Sequence, residues 1–144
     1  MRDDIDFIGA KLALFLGDRL AVIRRDDRPG LDWAGYWDFP GGGREGGETA
    51  QDCALRETEE ELGIAVPREA LVWNRAFLRP DRAVGWLFVG RLPADAAASI
   101  RLGDEGQAWA LMQPAAYLSH PLGIPHFKER LKLYLQVAQR GDVV

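Results

Sequence analysis

Residues 42–64 read GGREGGETAQDCALRETEEELGI and are the most informative part of the sequence. We expect its glycine-rich start, residues 41–47, to be a loop, because glycine adopts backbone angles that other residues avoid. Thr49 is suited to cap the N-terminus of a helix, and Gly63 is suited to follow its C-terminus. Between them, small or apolar side chains recur at helical spacing: Ala54, Leu55, Thr58 and Leu62. The stretch therefore predicts a glycine loop followed by an amphipathic helix.

The predicted helix carries an acidic face. Glu57, Glu60 and Glu61 stand at positions i, i+3 and i+4, so they share one side of a helix, where like charges repel. A divalent cation removes that repulsion, and Mg²⁺ binds carboxylates together with water and substrate phosphate oxygens. Gly41 and Gly42 allow the backbone to approach such a ligand closely. The residues alone leave two interpretations open, a metal and phosphate site or a solvated acidic face.

The spacing of these residues resembles the Nudix box of MutT-like pyrophosphohydrolases, G-x5-E-x7-R-E-U-x-E-E-x-G-U, where U is apolar. Counted from Gly42, Glu48 follows after five residues, and the run from Arg56 to Ile64 follows after seven more. Every charged and glycine position of the pattern matches. The one departure is Thr58 at an apolar position, where its methyl group can still pack.

The resemblance implies a role for each matching residue. Glu57, Glu60 and Glu61 match the metal-binding glutamates of the family, and Glu48 matches a glutamate that supports the metal shell. Arg56 matches the arginine that pairs with the box carboxylates and orients them. The implied cofactor is Mg²⁺, with Mn²⁺ as a substitute, and the implied partner is a small-molecule nucleotide substrate. Glu57 is one candidate for the general base that takes a proton from water.

A second candidate for the general base is Glu105, which precedes Gly106 and Gln107 just before a predicted strand. MutT-like members often place a metal-binding or base glutamate in a similar loop. A solvated loop acid is the other interpretation of Glu105. The sequence does not decide between Glu57 and Glu105 as the base.

Aromatic residues cluster before the glycine-rich segment. Trp33 and Tyr36 are candidates to stack on a nucleobase, and ordinary packing is the alternative for both. Trp37 is expected in the core, because it lies in a predicted strand beside Phe39.

Short apolar runs around the box helix predict the strands of a sheet. Residues 11–16 and Arg19–Arg24 predict a hairpin with its turn at Gly17-Asp18. Further strands are predicted at residues 36–39, 64–66, 72–78, Val84–Leu92 and Ala108–Met112. A C-terminal amphipathic helix is marked by Phe127, Leu131, Tyr134, Leu135 and Ala138. This order predicts one α+β domain over residues 1–144. The resemblance implies an α/β/α sandwich, a mixed sheet flanked by the box helix and the C-terminal helix.

Composition excludes several classes of protein. Among 144 residues, 47% are hydrophobic and 28% charged, which is typical of a globular fold. One cysteine excludes an intrachain disulfide, and a net charge of −4 gives no general attraction to a nucleic acid polymer. The acidic start, residues 1–6, is unlike a signal peptide, and no apolar run is long enough to cross a membrane. We expect a cytoplasmic protein, with monomer or homodimer left open.

The sequence is compatible with three candidate functions. The first is hydrolysis of a nucleoside triphosphate or modified dNTP to the monophosphate and pyrophosphate. The second is cleavage of a nucleoside diphosphate sugar of the ADP-ribose type. The third belongs to another class, a catalytically silent nucleotide-binding module with the same fold. Such a module would be expected to lose box carboxylates, which are all present here.

Overall fold

The computed structural model describes residues 6–140, and within them seven strands form one mixed sheet. The strands are β1 Gly9–Leu16, β2 Arg19–Arg24, β3 Trp37–Asp38, β4 Gly41–Gly43, β5 Leu71–Leu78, β6 Val84–Leu92 and β7 Ala108–Met112. The helices are α1 Ala50–Leu62, α2 Pro114–Ser119 and α3 Pro125–Gln139, with short 3-10 helices at Arg68–Ala70 and Ala94–Ser99. The expectation about a signal peptide concerns mainly residues 1–5, which lie outside the described residues.

The sheet has the order β3-β2-β1-β6-β5, with β4 also paired to β1 and β7 also paired to β2. Only β1 and β6 run parallel, and every other pair described is antiparallel. The predicted hairpin is confirmed as β1 and β2, and Gly17 in its turn has a φ of 64°, which favours glycine. The mixed sheet of the prediction is therefore confirmed.

Helices cover both faces of the sheet, and strand β1 shows why. Leu12 and Leu14 point into a core that also contains Ala54 and Leu62 of α1. Ala13 and Phe15, the alternate residues, point into a second core, whose members from α2 and α3 are Tyr117, Phe127, Leu131 and Tyr134. Because side chains alternate along a strand, β1 is buried on both faces. The α+β sandwich is thus confirmed.

Helix α1 begins and ends as the sequence predicts. The Thr49 hydroxyl accepts a hydrogen bond from the Asp52 backbone N–H at 3.1 Å, and Gly63 closes the helix with a φ of 72°. The departure from the box pattern at Thr58 is also explained. Its side chain is fully buried, and its hydroxyl donates to the Ala54 carbonyl at 2.7 Å, so no polar group is left unpaired.

Two expectations about local structure are wrong, and one short helix was not predicted. The glycine-rich segment is not loop throughout, because Gly41–Gly43 pairs with the start of β1. Residues 64–66 form no strand; Ile64 and Val66 are buried apolar side chains that pack into the core on the α1 side. The short helix α2 was not predicted, since its six residues are too few to show an apolar period of helical spacing. No helix within residues 6–140 is long and apolar enough to cross a bilayer.

Tyr117 on α2 ties strand β3 to helix α3. Its buried hydroxyl donates to the Trp37 carbonyl at 2.9 Å and accepts from the Ile124 N–H at 3.3 Å. We expect Tyr117→Phe to lower the free energy of unfolding by about 2 kcal/mol, since both partners then lose a hydrogen bond inside the protein. Urea denaturation measures this. Tyr36→Phe is the control, because the Tyr36 hydroxyl has no hydrogen bond in the described structure. Equal stabilities of the two variants would contradict the prediction.

Candidate active site

The glycine-rich start of the 42–64 stretch lies against the acidic face of the helix that follows it. Strand β4 lies between β1 and α1, and the Glu57 carboxyl group is pressed against Gly42. A Cβ atom on Gly42 would lie only 2.6 Å from Glu57 Cδ. Beside it, the Gly41 N–H donates to Glu61 Oε1 at 2.8 Å. The glycine strand and the acidic helix face are therefore parts of one site.

Arg56 stands at the centre of the acidic residues. Its guanidinium donates two hydrogen bonds to the Glu48 carboxylate, at 2.8 and 3.0 Å. It also donates to Glu57 Oε2 and Glu60 Oε2, both at 3.1 Å, and to the Gly43 carbonyl at 3.0 Å. The hydrogen bonds from Arg56 lower the pKa of Glu48 to about 2. The structure thus brings Glu48, Glu57 and Glu60 together around Arg56, and the role of Arg56 in orienting them for a metal stays a prediction.

Glu57 and Glu61 are short of compensating positive charge. Burial raises the pKa of Glu57, and the Arg56 hydrogen bond only partly opposes it. Burial raises the pKa of Glu61 to about 7, against the opposing effects of Lys11 and the Gly41 N–H. A carboxylate in this environment is stabilised by a nearby cation. A metal ion beside this pair would offset its negative charge.

The donor set fits a divalent cation in its chemistry, since it consists of hard carboxylate oxygens beside a backbone that has no side chain in the way. Within residues 6–140, however, no three acidic, histidine or cysteine side chains converge as a ready metal cluster. The reason is that Arg56 already engages Glu57 and Glu60. A cation must therefore draw these carboxylates toward itself. The metal set of Glu48, Glu57, Glu60 and Glu61 stays a prediction.

The loop that carries Glu105 is fixed against the end of α1. The Gly103 N–H donates to the Glu61 carbonyl at 2.9 Å, and a Cβ on Gly103 would lie 2.3 Å from the Glu60 carbonyl oxygen. The exposed Glu105 side chain lines a small cavity of about 170 Å³ together with Glu61. Two cationic residues, Arg25 and Arg28, line the same cavity. Glu105 is thus near the box, and its role as a base stays a prediction.

A larger cavity of about 540 Å³ lies between the sheet and the start of α3. Its floor includes a row of glycines that pair across three strands, Gly43, Gly9 and Gly85. At Gly43 and Gly85 a Cβ would meet no atom closer than 3.9 Å, so the missing side chains leave open space. Its other walls include Trp33, Ile124, His126 and Phe127. A volume of this size is typical of small-molecule sites.

Trp33 and Tyr36 have different positions relative to this cavity. Trp33 is 40% exposed, lines the cavity and has a φ of 55°, an unusual backbone angle for a non-glycine residue. Its ring makes edge-on contacts with Tyr36 and His126, at centroid distances of 5.1 and 6.0 Å. Tyr36 is half-buried and is not part of the lining. Trp33 is therefore the better placed of the two for stacking, with Tyr36 behind it.

Sequence reasoning missed Asp38, which lies on the wall shared by the two cavities. It is only 4% exposed. Its Oδ2 accepts from Lys11 Nζ at 2.9 Å and from Arg25 Nη1 at 3.0 Å, while Oδ1 has no hydrogen-bond partner within residues 6–140. The sequence does contain a signal for Asp38. A charged residue between Trp37 and Phe39, in a strand predicted to be buried, requires charged or hydrogen-bonding partners.

Comparison with known proteins adds to this geometry. A sequence profile of the NUDIX domain matches residues 9–132. The chain is similar to the RNA pyrophosphohydrolase of Gluconobacter oxydans (strain 621H), with 35% identity over 83% of this chain and 77% of that protein. It is also similar to the 8-oxo-dGTP diphosphatase of Proteus vulgaris, with 44% identity over 35% of this chain and 45% of that protein.

A likeness of fold extends over nearly the whole chain. The crystal structure of the MutT protein from Methanosarcina mazei Go1 superposes with a TM-score of 0.72 and 19% identity, covering 92% of this chain and 96% of that one. The profile match spans most of the chain and includes the acidic helix, the glycine strand and the cavity floor. The chain therefore belongs to the Nudix family of pyrophosphohydrolases.

Proposed function

We propose that the protein hydrolyses a phosphoanhydride bond in a nucleoside triphosphate or modified dNTP, giving the nucleoside monophosphate and pyrophosphate, with Mg²⁺ as cofactor. The observation that carries this proposal is the contact of Glu57 with Gly42, at the edge of a cavity of about 540 Å³. Carboxylates for a cation and space for a nucleotide thus lie side by side.

The positions of the residues suggest a separate role for each group of them in the proposed reaction. A bound Mg²⁺ would offset charge on the phosphate oxygens and lower the pKa of a bound water. Glu48, Glu57, Glu60 and Glu61 would supply its ligands. Arg56 holds the first three of these side chains, and the Gly41 N–H holds Glu61. Trp33 offers an aromatic face to the base.

The general base is either Glu57 or Glu105. Glu57 is held by Arg56 and lies against Gly42, whereas Glu105 is exposed and lines the smaller cavity beside Glu61. The variant Glu105→Gln separates the two roles. A lower kcat with unchanged affinity for Mg²⁺ supports Glu105 as the base, whereas weaker Mg²⁺ binding supports it as a ligand.

A second candidate substrate is RNA, favoured by the 35% identity to the Gluconobacter RNA pyrophosphohydrolase over 83% of this chain. The negative net charge argues against binding along a polymer, but it does not oppose recognition of one chain end in a cationic cavity. Cleavage of a nucleoside diphosphate sugar remains the alternative within the same chemistry. Location in the cytoplasm stays a prediction, and monomer and homodimer are both still open.

A panel of nucleoside triphosphates, modified dNTPs and nucleoside diphosphate sugars tests the proposal, with product analysis by anion-exchange chromatography. We expect turnover of at least one triphosphate to monophosphate and pyrophosphate with Mg²⁺, and a loss of at least a hundredfold with EDTA. Two phosphomonoesters from a diphosphate sugar, with no triphosphate cleaved, would replace the first function by the second. No turnover of any member would favour the silent binding module.

A further inference from the structure

Arg130, in the second turn of α3, is a cation whose guanidinium lies over aromatic rings. Its guanidinium lies 4.3 Å from the centroid of the Phe77 ring and 5.6 Å from that of Phe127. The side chain is half-buried and lines the larger cavity, yet it makes no hydrogen bond or ion pair within the described residues. A guanidinium has five N–H donors, and those of Arg130 lie at the cavity wall with no acceptor from the described residues. An anionic ligand in the cavity can supply acceptors to them.

A second arginine adds positive charge to the same wall. Arg79 also lines the cavity, and its one ion pair in residues 6–140 is an exposed contact with Asp81 at 3.2 Å. Partial burial and the positive charge of Arg79 lower the pKa of Arg130. Two like charges on one wall repel each other unless an anion lies between them.

The acidic residues of the cavity do not neutralise these arginines. Asp38 is already bound by Lys11 and Arg25. Asp32 makes no side-chain ion pair in the described part of the chain. Asp81 pairs with Arg79 and Glu129 is the neighbour of Arg130 in α3, but neither acidic residue lines the cavity. The side chains that Arg79 and Arg130 place on the cavity wall are therefore both cationic.

The register of the sheet gives the backbone separation between Phe77, below Arg130, and the glycine strand β4, which contacts the acidic helix. Gly43, Gly9, Gly85 and Phe77 are successive partners across β4, β1, β6 and β5. Three steps between neighbouring strands, at about 4.8 Å each, place Phe77 about 14 Å from the glycine strand. Arg130 stacks on Phe77, so the backbone separation leaves room for a nucleoside between a phosphate group at Arg130 and the phosphoanhydride at the glycine strand.

We propose that Arg130, assisted by Arg79, binds a second phosphate group of the substrate, on the side of the nucleoside away from the scissile phosphoanhydride. The planar fork of a guanidinium matches phosphate oxygens in a bidentate contact. The preferred substrate class is then a nucleoside 5′-triphosphate that carries a 3′-phosphate or a 3′-phosphodiester. This inference rests on the proposed function for the identity of the scissile bond.

Kinetics with three matched substrates test the proposal. They are a nucleoside 5′-triphosphate, its 3′-phosphorylated derivative and the 5′-triphosphorylated dinucleotide, each made with adenosine and with guanosine. We expect the wild type to prefer at least one substrate with a second phosphate by about tenfold in kcat/KM, the range of a charge-assisted contact. The derivative that is preferred tells whether the phosphate is terminal or a diester. In Arg130→Gln, the ratio of kcat/KM with the second phosphate to kcat/KM without it should fall close to one.

Arg75→Gln is the matched control. The Arg75 guanidinium lies 5.7 Å from the same Phe77 ring, but Arg75 is exposed and does not line the cavity. This variant loses the same charge near the same ring and should keep the wild-type preference. An equal loss of preference in both variants would show a general charge effect and overturn the assignment to Arg130. A wild type without preference for either derivative would overturn it as well.

Binding without turnover separates this proposal from the proposed function. Calorimetric titration in EDTA compares nucleoside 3′,5′-bisphosphates with the corresponding 5′-monophosphates, for adenosine and guanosine. We expect about tenfold tighter binding of a bisphosphate by the wild type, and a smaller ratio for Arg130→Gln. If no triphosphate is cleaved but this ratio is found, the function fails and the second phosphate site stands. Equal affinities in the wild type would overturn the site.

Discussion

The variant Glu57→Gln is expected to lower kcat/KM by about a thousandfold while the protein stays folded. Glu57 contacts Gly42 at the edge of the cavity and receives a hydrogen bond from Arg56 at 3.1 Å. The amide keeps the size of the side chain but removes the charge that offsets a cation and the developing phosphate charge. Loss of one such electrostatic contribution costs about 4 kcal/mol of transition-state stabilisation. Steady-state kinetics over a range of Mg²⁺ concentrations measure the effect.

Glu59→Gln is the control for this variant. Glu59 lies on the same helix and loses the same charge, but its side chain is exposed and has no ion pair within residues 6–140. We expect its kcat/KM to stay within about twofold of the wild type, as for most surface changes. Similar rates for Glu57→Gln and the wild type, on a substrate that the wild type cleaves, would remove Glu57 from the site.

Much of the fold follows from local patterns in the sequence. The helix α1 is delimited by Thr49 and Gly63, whose capping roles depend only on their near neighbours. Strands Val84–Leu92 and Ala108–Met112 have the predicted bounds, because apolar runs between polar turns are local signals as well. Elements of this kind can be predicted without knowledge of their partners.

Other elements depend on partners that are distant in the chain. Gly41–Gly43 has no intrinsic preference for a strand and becomes one because β1 offers it hydrogen bonds. Residues 64–66 have a strand-like composition, yet Ile64 and Val66 only fill the core beside α1. The parallel pairing of β1 with β6 is likewise invisible in either segment alone. Local propensity cannot report such pairings.

The same contrast holds for the site. The residues that surround Arg56 could be predicted because they all fall in one 23-residue stretch with a fixed spacing. The cavity could not be predicted, because its walls come from residues such as Asp38, Arg79 and Arg130, which the fold brings together across the sheet. Substrate choice depends on those walls. The sequence therefore predicts the chemistry better than the substrate.

The contact between Glu57 and Gly42 leads to a prediction of opposite kind, one in which a group is added instead of removed. In Gly42→Ala the new Cβ would lie 2.6 Å from Glu57 Cδ and Oε1, so the carboxyl group must move. We expect kcat/KM to fall about a hundredfold, since a displacement of about 1 Å in a catalytic group has an effect of this order. Kinetics on the best triphosphate of the panel measure the change.

Stability should change little in Gly42→Ala, because Gly42 does not have the positive φ that would strain alanine and because the atoms in the way belong to a side chain. We expect the free energy of unfolding to stay within about 1 kcal/mol of the wild type, as measured in urea. Gly47→Ala is the control: its Cβ would meet nothing within 4 Å, and it should leave both rate and stability near the wild-type values. A fully active Gly42→Ala would show that the carboxyl group of Glu57 can leave this position without loss of activity. In that case the close approach of strand and helix has a structural role only.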